Sequence, residues 1–295
     1  MQIQMQIQMQ IGVNEMKDGI LIIDKPQDFT SHDVVAKVRK IIGTKKVGHT
    51  GTLDPMATGV LVICVGAATK LVEHFTAKDK VYKAKIKLGI KTDTADITGN
   101  IIKEMPIETS SVINKNEKDI IDIMKSFIGK QKQLPPMYSS IKVNGMKLYE
   151  YARKGIEVKV EPRDIEIFDI YDISIDGDEI AYTVHCSKGT YIRSLCEDIA
   201  EKLGTCGTMS YLRRTKTGEF SIEDSIKIED IQEEKIFPME KLFDNKIIIE
   251  KDLNKLLNGM EIPCDKPDGL YSLHTNCYIG VGKIIDKKLK REIIL

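Results

Sequence analysis

The chain has 295 residues, 42% of them hydrophobic and 30% charged, and its formal net charge is zero. Those shares fit a globular protein with enough apolar material for a sizeable core, as one large domain or a large and a small one. They exclude nucleic-acid binding through bulk charge, and no apolar run approaches the ~18–20 residues of a membrane-spanning helix.

The opening MQIQMQIQMQ is a low-complexity repeat without the basic start and continuous apolar stretch of a signal peptide. A more natural beginning follows at Met16-Lys17-Asp18-Gly19, so residues 1–16 are expected to be a loosely attached tail. Ile20-Leu21-Ile22-Ile23 reads as a buried strand, ended by Asp24-Lys25-Pro26. Thr30-Ser31-His32-Asp33 has the form of a helix capping box. Behind it Val34, Val35, Val38, Ile41 and Ile42 share a helical face, and Gly43 supplies the stop.

A glycine-rich loop comes next, Gly48-His49-Thr50-Gly51-Thr52-Leu53-Asp54-Pro55, and then an apolar strand from Gly59 to Gly66. Residues 67–76 suggest a short helix. Over 81–88 the pattern alternates, with Val81, Lys83, Lys85 and Lys87 on one side and Tyr82, Ala84, Ile86 and Leu88 on the other. This predicts a half-buried strand with a basic outer face. Residues 117–128 predict an amphipathic helix closed by Gly129. The segment 131–163, with three prolines and several tyrosines, reads as an excursion from the core. A strand over 179–186 and a helical stripe of Ile192, Leu195, Ile199 and Leu203, stopped by Gly204, complete the main body. Beyond Pro238 short strand-like pieces at 246–250, 270–273, 277–285 and 289–295 suggest a small β-rich appendage. The class expected is α+β, with a mixed, largely antiparallel central sheet flanked by helices.

Three residues stand out chemically. Asp54 precedes a proline, is surrounded by glycines that let backbone and ligand approach, and leads directly into a buried strand. The alternative is an Asp-Pro pair that merely opens a turn. Arg193 falls in the first turn of its predicted helix, where the macrodipole disfavours a cation, so an anionic partner is expected. If the partner is Asp54, the pair would lower that carboxyl's pKa; phosphate or solvent are the other options. Tyr82 is either a core tyrosine or a stacking platform for an extruded base. Lysines and arginines cluster at 37–46 and 78–91, which suits either a phosphate backbone or a solvated face. Six cysteines and five histidines form no metal-ligand spacing, and the loop is not a phosphate-binding G-x-x-x-x-G-K-[ST] motif.

Taken together these stretches resemble the TruB family of tRNA pseudouridine synthases. The likeness rests on Gly48 to Pro55 with Ala57-Thr58-Gly59-Val60-Leu61, on Asp24-Lys25-Pro26, and on Tyr82 with Leu88-Gly89, Thr92-Asp93-Thr94, Asp96 and Gly99. It extends through Met137-Tyr138-Ser139-Ser140-Ile141-Lys142, Leu148 to Arg153, Cys186 to Arg193 and Tyr211-Leu212-Arg213-Arg214, in family order over about residues 19–220. The resemblance implies a pseudouridine synthase fold in a catalytic domain over 17–236, with an insertion at about 131–163 and a reduced PUA-like domain over 237–295. It implies Asp54 as the essential nucleophile and Tyr82 stacked on the flipped uracil. It pairs Arg193 with Asp54, lines the base pocket with Tyr191 and Leu212, sets His49 against the RNA and makes Lys25 part of the wall. The substrate implied is the uridine at position 55 in the tRNA T loop. The reaction is redox-neutral, and no cofactor or metal is expected. A cytoplasmic monomer without membrane association is anticipated. A guide-dependent pseudouridine synthase, or an RNA-binding or tRNA-folding protein without turnover, are the alternatives.

Overall fold

In the computed structural model, residues 18–107, 112 and 115–294 are described. The repeat at the N-terminus lies outside them. The chain begins with β1 (Gly19–Lys25), α1 (Ser31–Ile42), β2 (Val47–His49), β3 (Thr58–Val65), a 3-10 turn into α2 (Val72–Thr76), and β4 (Lys80–Leu88). A small hairpin of β5 (Ile90–Thr92) and β6 (Ile101–Glu104) leads to α3 (Glu117–Lys125) and β7 (Gly129–Gln133). The two-residue strands β8 (Lys142–Val143) and β9 (Met146–Lys147) and the helix α4 (Leu148–Arg153) follow. Then come β10 (Arg163–Asp176), β11 (Glu179–Cys186), α5 (Ile192–Leu203), β12 (Gly207–Thr217), β13 (Phe220–Ser221) and β14 (Phe237–Pro238). The C-terminal part holds β15 (Lys246–Ile248), α6 (Leu253–Leu257), β16 (Ile262–Pro263), β17 (Gly269–His274), β18 (Tyr278–Ile285) and β19 (Lys288–Ile294).

The main sheet runs β14-β1-β3-β12-β4-β11-β10-β7, with β2 and β13 at its margins. Its pairings are antiparallel except β3 with β12, so the mixed sheet expected from the sequence is present. A second sheet, β15-β17-β18-β19-β16, forms the C-terminal unit. β1 and β3 are apolar almost throughout because they are covered on both faces. Leu21, Ile23, Leu61, Ile63 and Val65 join the core beneath α1, α3 and α5. Ile20, Val60, Val62 and Cys64 face the other way, against Phe75 and against Val281 and Ile293 of the C-terminal sheet.

Local signals explain where most elements stop. The Thr30 hydroxyl accepts from the Asp33 amide at 3.1 Å while the Asp33 carboxylate accepts from the Thr30 amide at 2.8 Å, which closes the box at the start of α1. Gly43 adopts φ 76° and its N–H returns to the Arg39 carbonyl. Ile41, expected on the buried face, is 45% exposed, whereas Ile42 beside it packs partly buried against the core.

Several boundaries differ from expectation. The helix predicted over 117–128 ends at Lys125, and Gly129 opens a strand instead of closing a helix. That strand takes residues 131–133 into the sheet, and Arg163 starts β10, so the excursion from the core spans 134–162. β10, the longest strand, was not anticipated. Register shifts between Ile167 and Asp169 and between Tyr171 and Ser174 break its alternation and hide the period of two. The basic outer face of β4 is also largely neutralised. Lys85 pairs with Glu179 at 3.0 Å and Lys87 with Asp178, both acids lying at the start of β11, and Lys91 pairs with Glu197 at 3.2 Å. Lys80 is buried and donates to the Thr76 carbonyl at 2.7 Å and to that of Lys78.

Candidate active site

Asp54 lies on the loop between β2 and β3, and nearly every turn of that loop is tied down. The Ser31 hydroxyl, in the first turn of α1, accepts from the Leu53 amide at 2.9 Å and donates to the Leu53 carbonyl at 3.2 Å. The Asp28 amide donates to the Pro55 carbonyl, and the Ala57 amide to that of Asp54. Lys25 is fully buried, and its ammonium donates to the carbonyls of Phe29 at 2.6 Å, Pro26 at 2.9 Å and Pro55 at 3.3 Å. Burial lowers the Lys25 pKa to about 8, with the nearby Asp54 carboxylate working against that drop. The Lys25 charge is thus turned into the protein, behind the loop.

Arg193 is 5% exposed and gathers three segments. Its Nε meets the Asp54 carboxylate at 3.0 Å, Nη1 donates to the Thr94 carbonyl at 2.9 Å, and Nη2 to the Tyr138 carbonyl at 2.7 Å. Asp96, itself buried, lies 3.8 Å from Nη1 on the far side. An arginine in the first turn of α5 thus has its anionic partner, and the unfavourable dipole position is explained by it. The start of α5 is fixed in turn by Gln133. Its side-chain amide accepts from the Tyr191 amide at 2.8 Å and donates to the Tyr191 carbonyl at 3.0 Å.

The electrostatics of Asp54 correct the expectation. Arg193 does pull the carboxyl toward ionisation, but burial pushes harder in the other direction and the Asp96 charge adds to it. The net pKa is raised, although a third of the side chain still meets solvent. A carboxylate held this way is a stronger base and nucleophile than an ordinary surface aspartate.

The remaining residues singled out in the sequence cluster around this pair to different degrees. Tyr82 is 8% exposed on the inward face of β4, its phenol pushed up by burial and opposed by the Arg214 guanidinium. Leu212 is buried opposite Ala84, one strand over. Tyr191 is half-buried, with burial raising its phenol and the charges of Arg193 and Asp54 close by. His49 stands earlier on the loop, its ring 5.4 Å from that of His32 and its Nδ1 accepting from the Gly51 amide at 3.3 Å. Burial first, then the charges of His32 and Arg214, bring its pKa to about 4, so its imidazole is neutral at physiological pH.

Two contributors were not singled out as site residues. Ser31 was read only as part of a cap, and Arg214 only as part of a motif. The period-two alternation of β12 could have identified the second, because a strand that turns Leu212 inward turns Arg214 inward as well. Burial pushes the thiols of Cys64, Cys186 and Cys196 up to about 12, which leaves them protonated and unreactive. Among the described residues no group of three or more histidine, cysteine or acidic side chains is placed to hold a metal, and no helix is long and apolar enough to cross a membrane. Two clefts elsewhere, one lined by Asp24, Arg213 and Lys227 and one by Ile22, Phe220 and Phe237, include neither Asp54 nor Tyr82.

Residues 39–192 match the N-terminal domain of the TruB family pseudouridylate synthases, and residues 193–263 match the tRNA pseudouridylate synthase B C-terminal domain. The chain is 48% identical over 252 residues to tRNA pseudouridine synthase B of Clostridium tetani, covering 83% of this chain and 86% of that one. It is 44% identical over 288 residues to the protein of the same name from Clostridium kluyveri, covering 92% and 98%. In three dimensions it resembles a chain in the crystal structure of a Cbf5-Nop10-Gar1 complex, with a TM-score of 0.66 and 28% identity over 92% of this chain and 79% of that one.

Proposed function

The chain belongs to the TruB family of pseudouridylate synthases, and from that premise we propose that it isomerises the T-loop uridine at position 55 of tRNA with Asp54 as nucleophile. Membership makes the protein a tRNA-acting isomerase. The observation that carries the proposal is a single carboxylate, Asp54, on a loop tied at both ends and set 3.0 Å from a buried arginine.

The reaction breaks the bond from ribose C1′ to uracil N1, turns the base and forms a bond from C1′ to C5. The hydrogen on C5 leaves to solvent and N1 takes up a proton. A base inside a stacked loop cannot be reached, so the uridine is extruded at a cost of a few kcal/mol met by RNA contacts. Tyr82 offers an aromatic face to the extruded uracil, and Leu212 and Tyr191 flank it. Whether Asp54 attacks C1′, attacks C6 or drives elimination, each route needs it ionised and positioned. Arg193 serves that need by holding the carboxylate in place and by stabilising its charge as RNA displaces the last water.

Identities of 44–48% over most of each chain to tRNA pseudouridine synthases B favour a stand-alone enzyme over one assembled with a guide, since identity to the complex-bound chain is 28%. The test is chemical mapping. In vitro transcribed tRNA is incubated with the protein alone, treated with a carbodiimide that marks pseudouridine, and read by primer extension. A stop at position 55, missing with Asp54→Asn, is the expected pattern. A stop at another uridine would overturn the substrate position, and a stop that survives Asp54→Asn would overturn the nucleophile.

A further inference from the structure

Two arginines are buried among the described residues, Arg193 and Arg214. The chemistry above uses the first. The second is 2% exposed on β12 and forms no ion pair among the described residues, unlike its neighbour Arg213, which grips the Asp24 carboxylate at 2.8 and 3.1 Å. A buried cation without a counter-ion is expensive unless its donors are well occupied. Arg214 occupies them with main-chain oxygens of the catalytic loop. Nε donates to the Val60 carbonyl at 2.7 Å, Nη2 to that of Gly51 at 3.1 Å, and Nη1 makes a longer contact to that of Thr52 at 3.5 Å. The Gly51 and Thr52 carbonyls lie on the loop ahead of Asp54, and the Val60 carbonyl lies beyond it, in β3.

The same side chain faces Tyr82. The two residues are direct partners across β12 and β4, and the guanidinium charge opposes the rise that burial gives the phenol's pKa. The backbone approach at this position is equally tight. Gly59 pairs with Arg214 across β3 and β12, at φ 102°, and a Cβ there would lie 2.1 Å from the Arg214 carbonyl.

We infer that Arg214 is a positioning residue for pseudouridine formation, tying the Asp54 loop to the strand pair that carries the Tyr82 ring. The inference rests on the reading that Asp54 and Tyr82 act on an extruded uridine. A lysine does not replace the arginine, because an ammonium is a single point and lacks the planar fork that reaches the separate Val60, Thr52 and Gly51 carbonyls.

The test uses the full chain with Arg214→Lys and Arg214→Met, each checked for folding by circular dichroism. Three quantities are read: the single-turnover rate on C5-tritiated tRNA, tRNA affinity by filter binding, and the carbon signal of the Tyr82 phenol in protein carrying ring-labelled tyrosine, assigned with Tyr82→Phe. A displaced loop should slow the folded variants about 100-fold, the cost of a misplacement near 1 Å. Affinity should stay within about threefold, and the Tyr82 signal should move. A folded variant that keeps its rate within about threefold, or a Tyr82 signal that does not move, overturns the inference. So does failure of both variants to fold, which would make Arg214 a residue of the fold and not of the site. If the parent protein releases no tritium while the Tyr82 signal still shifts, the reaction reading fails and the coupling of Arg214 to Tyr82 stands.

Discussion

Replacing Arg193 with methionine removes a guanidinium that closes three contacts inside the protein while leaving a stem of similar length. Two part-buried main-chain carbonyls, those of Thr94 and Tyr138, lose a charged donor. Such hydrogen bonds are worth roughly 1.5–3 kcal/mol each. The contact with Asp54 adds less than a fully buried pair would, because a third of that carboxylate still meets solvent. Breaking one partner of a buried network of this kind costs about 3–5 kcal/mol. The loss also acquires a pH dependence. Asp54, already raised by burial, moves further up once Arg193 is gone. Its folded pKa then lies well above its unfolded one, so the fold binds more protons than the unfolded chain between the two values and gains stability as pH falls. Because the parent's Asp54 is raised as well, the deficit of Arg193→Met should shrink on acidification only between the parent's and the variant's Asp54 pKa, by up to about 1.4 kcal/mol per pH unit there. Urea unfolding at pH 8 and pH 5, followed by far-ultraviolet circular dichroism because the chain has no tryptophan, reads both effects. A deficit under about 1 kcal/mol at pH 8, or equal deficits at the two pH values, would refute the reasoning.

The rate of pseudouridine formation should fall as pH is lowered through the raised Asp54 pKa, above the ordinary aspartate range, in single-turnover assays across pH 4–8; a rate flat down to pH 4 contradicts this. Lys25→Met should change how stability varies at alkaline pH. The Lys25 pKa is about 8 in the fold against 10.5 in the unfolded chain, so the parent protein binds fewer protons folded and gains stability as pH rises from 8 to 10.5. The variant should lack that gain in denaturant titrations at pH 7, 9 and 10. Gly59→Ala should destabilise by more than about 2 kcal/mol, through its clash with the Arg214 carbonyl and its positive φ, and a loss below about 0.5 kcal/mol would show that β3 and β12 can separate freely.

The main elements could be read from the sequence where one local rule governs them. The capping box at Thr30, the left-handed stop at Gly43 and the alternation of β4 each follow from short-range chemistry. The C-terminal strands were legible for the same reason. β10 was not, because its bulges break the period on which the reading depends. The contact of Asp54 with Arg193 was anticipated as one of three options, and it lowers the carboxyl's pKa as expected, yet burial outweighs it and the net direction is upward. Sequence shows which charges can meet but not how much solvent is removed around them, and desolvation decided the outcome. Lys25 illustrates the same limit. Its position near the site was readable, but the direction of its ammonium depended on carbonyls of Phe29 and Pro55 that only the fold brings to it.

Tritium release from C5 tests the central claim most directly. The protein alone, without guide RNA, is mixed in excess with tRNA carrying tritium at uridine C5. The account predicts release of about one tritium per tRNA, lost with Asp54→Asn while tRNA binding is retained, and lost when the T-loop uridine is replaced. Release that persists in Asp54→Asn, or no release from well-folded parent protein that binds tRNA, would contradict it.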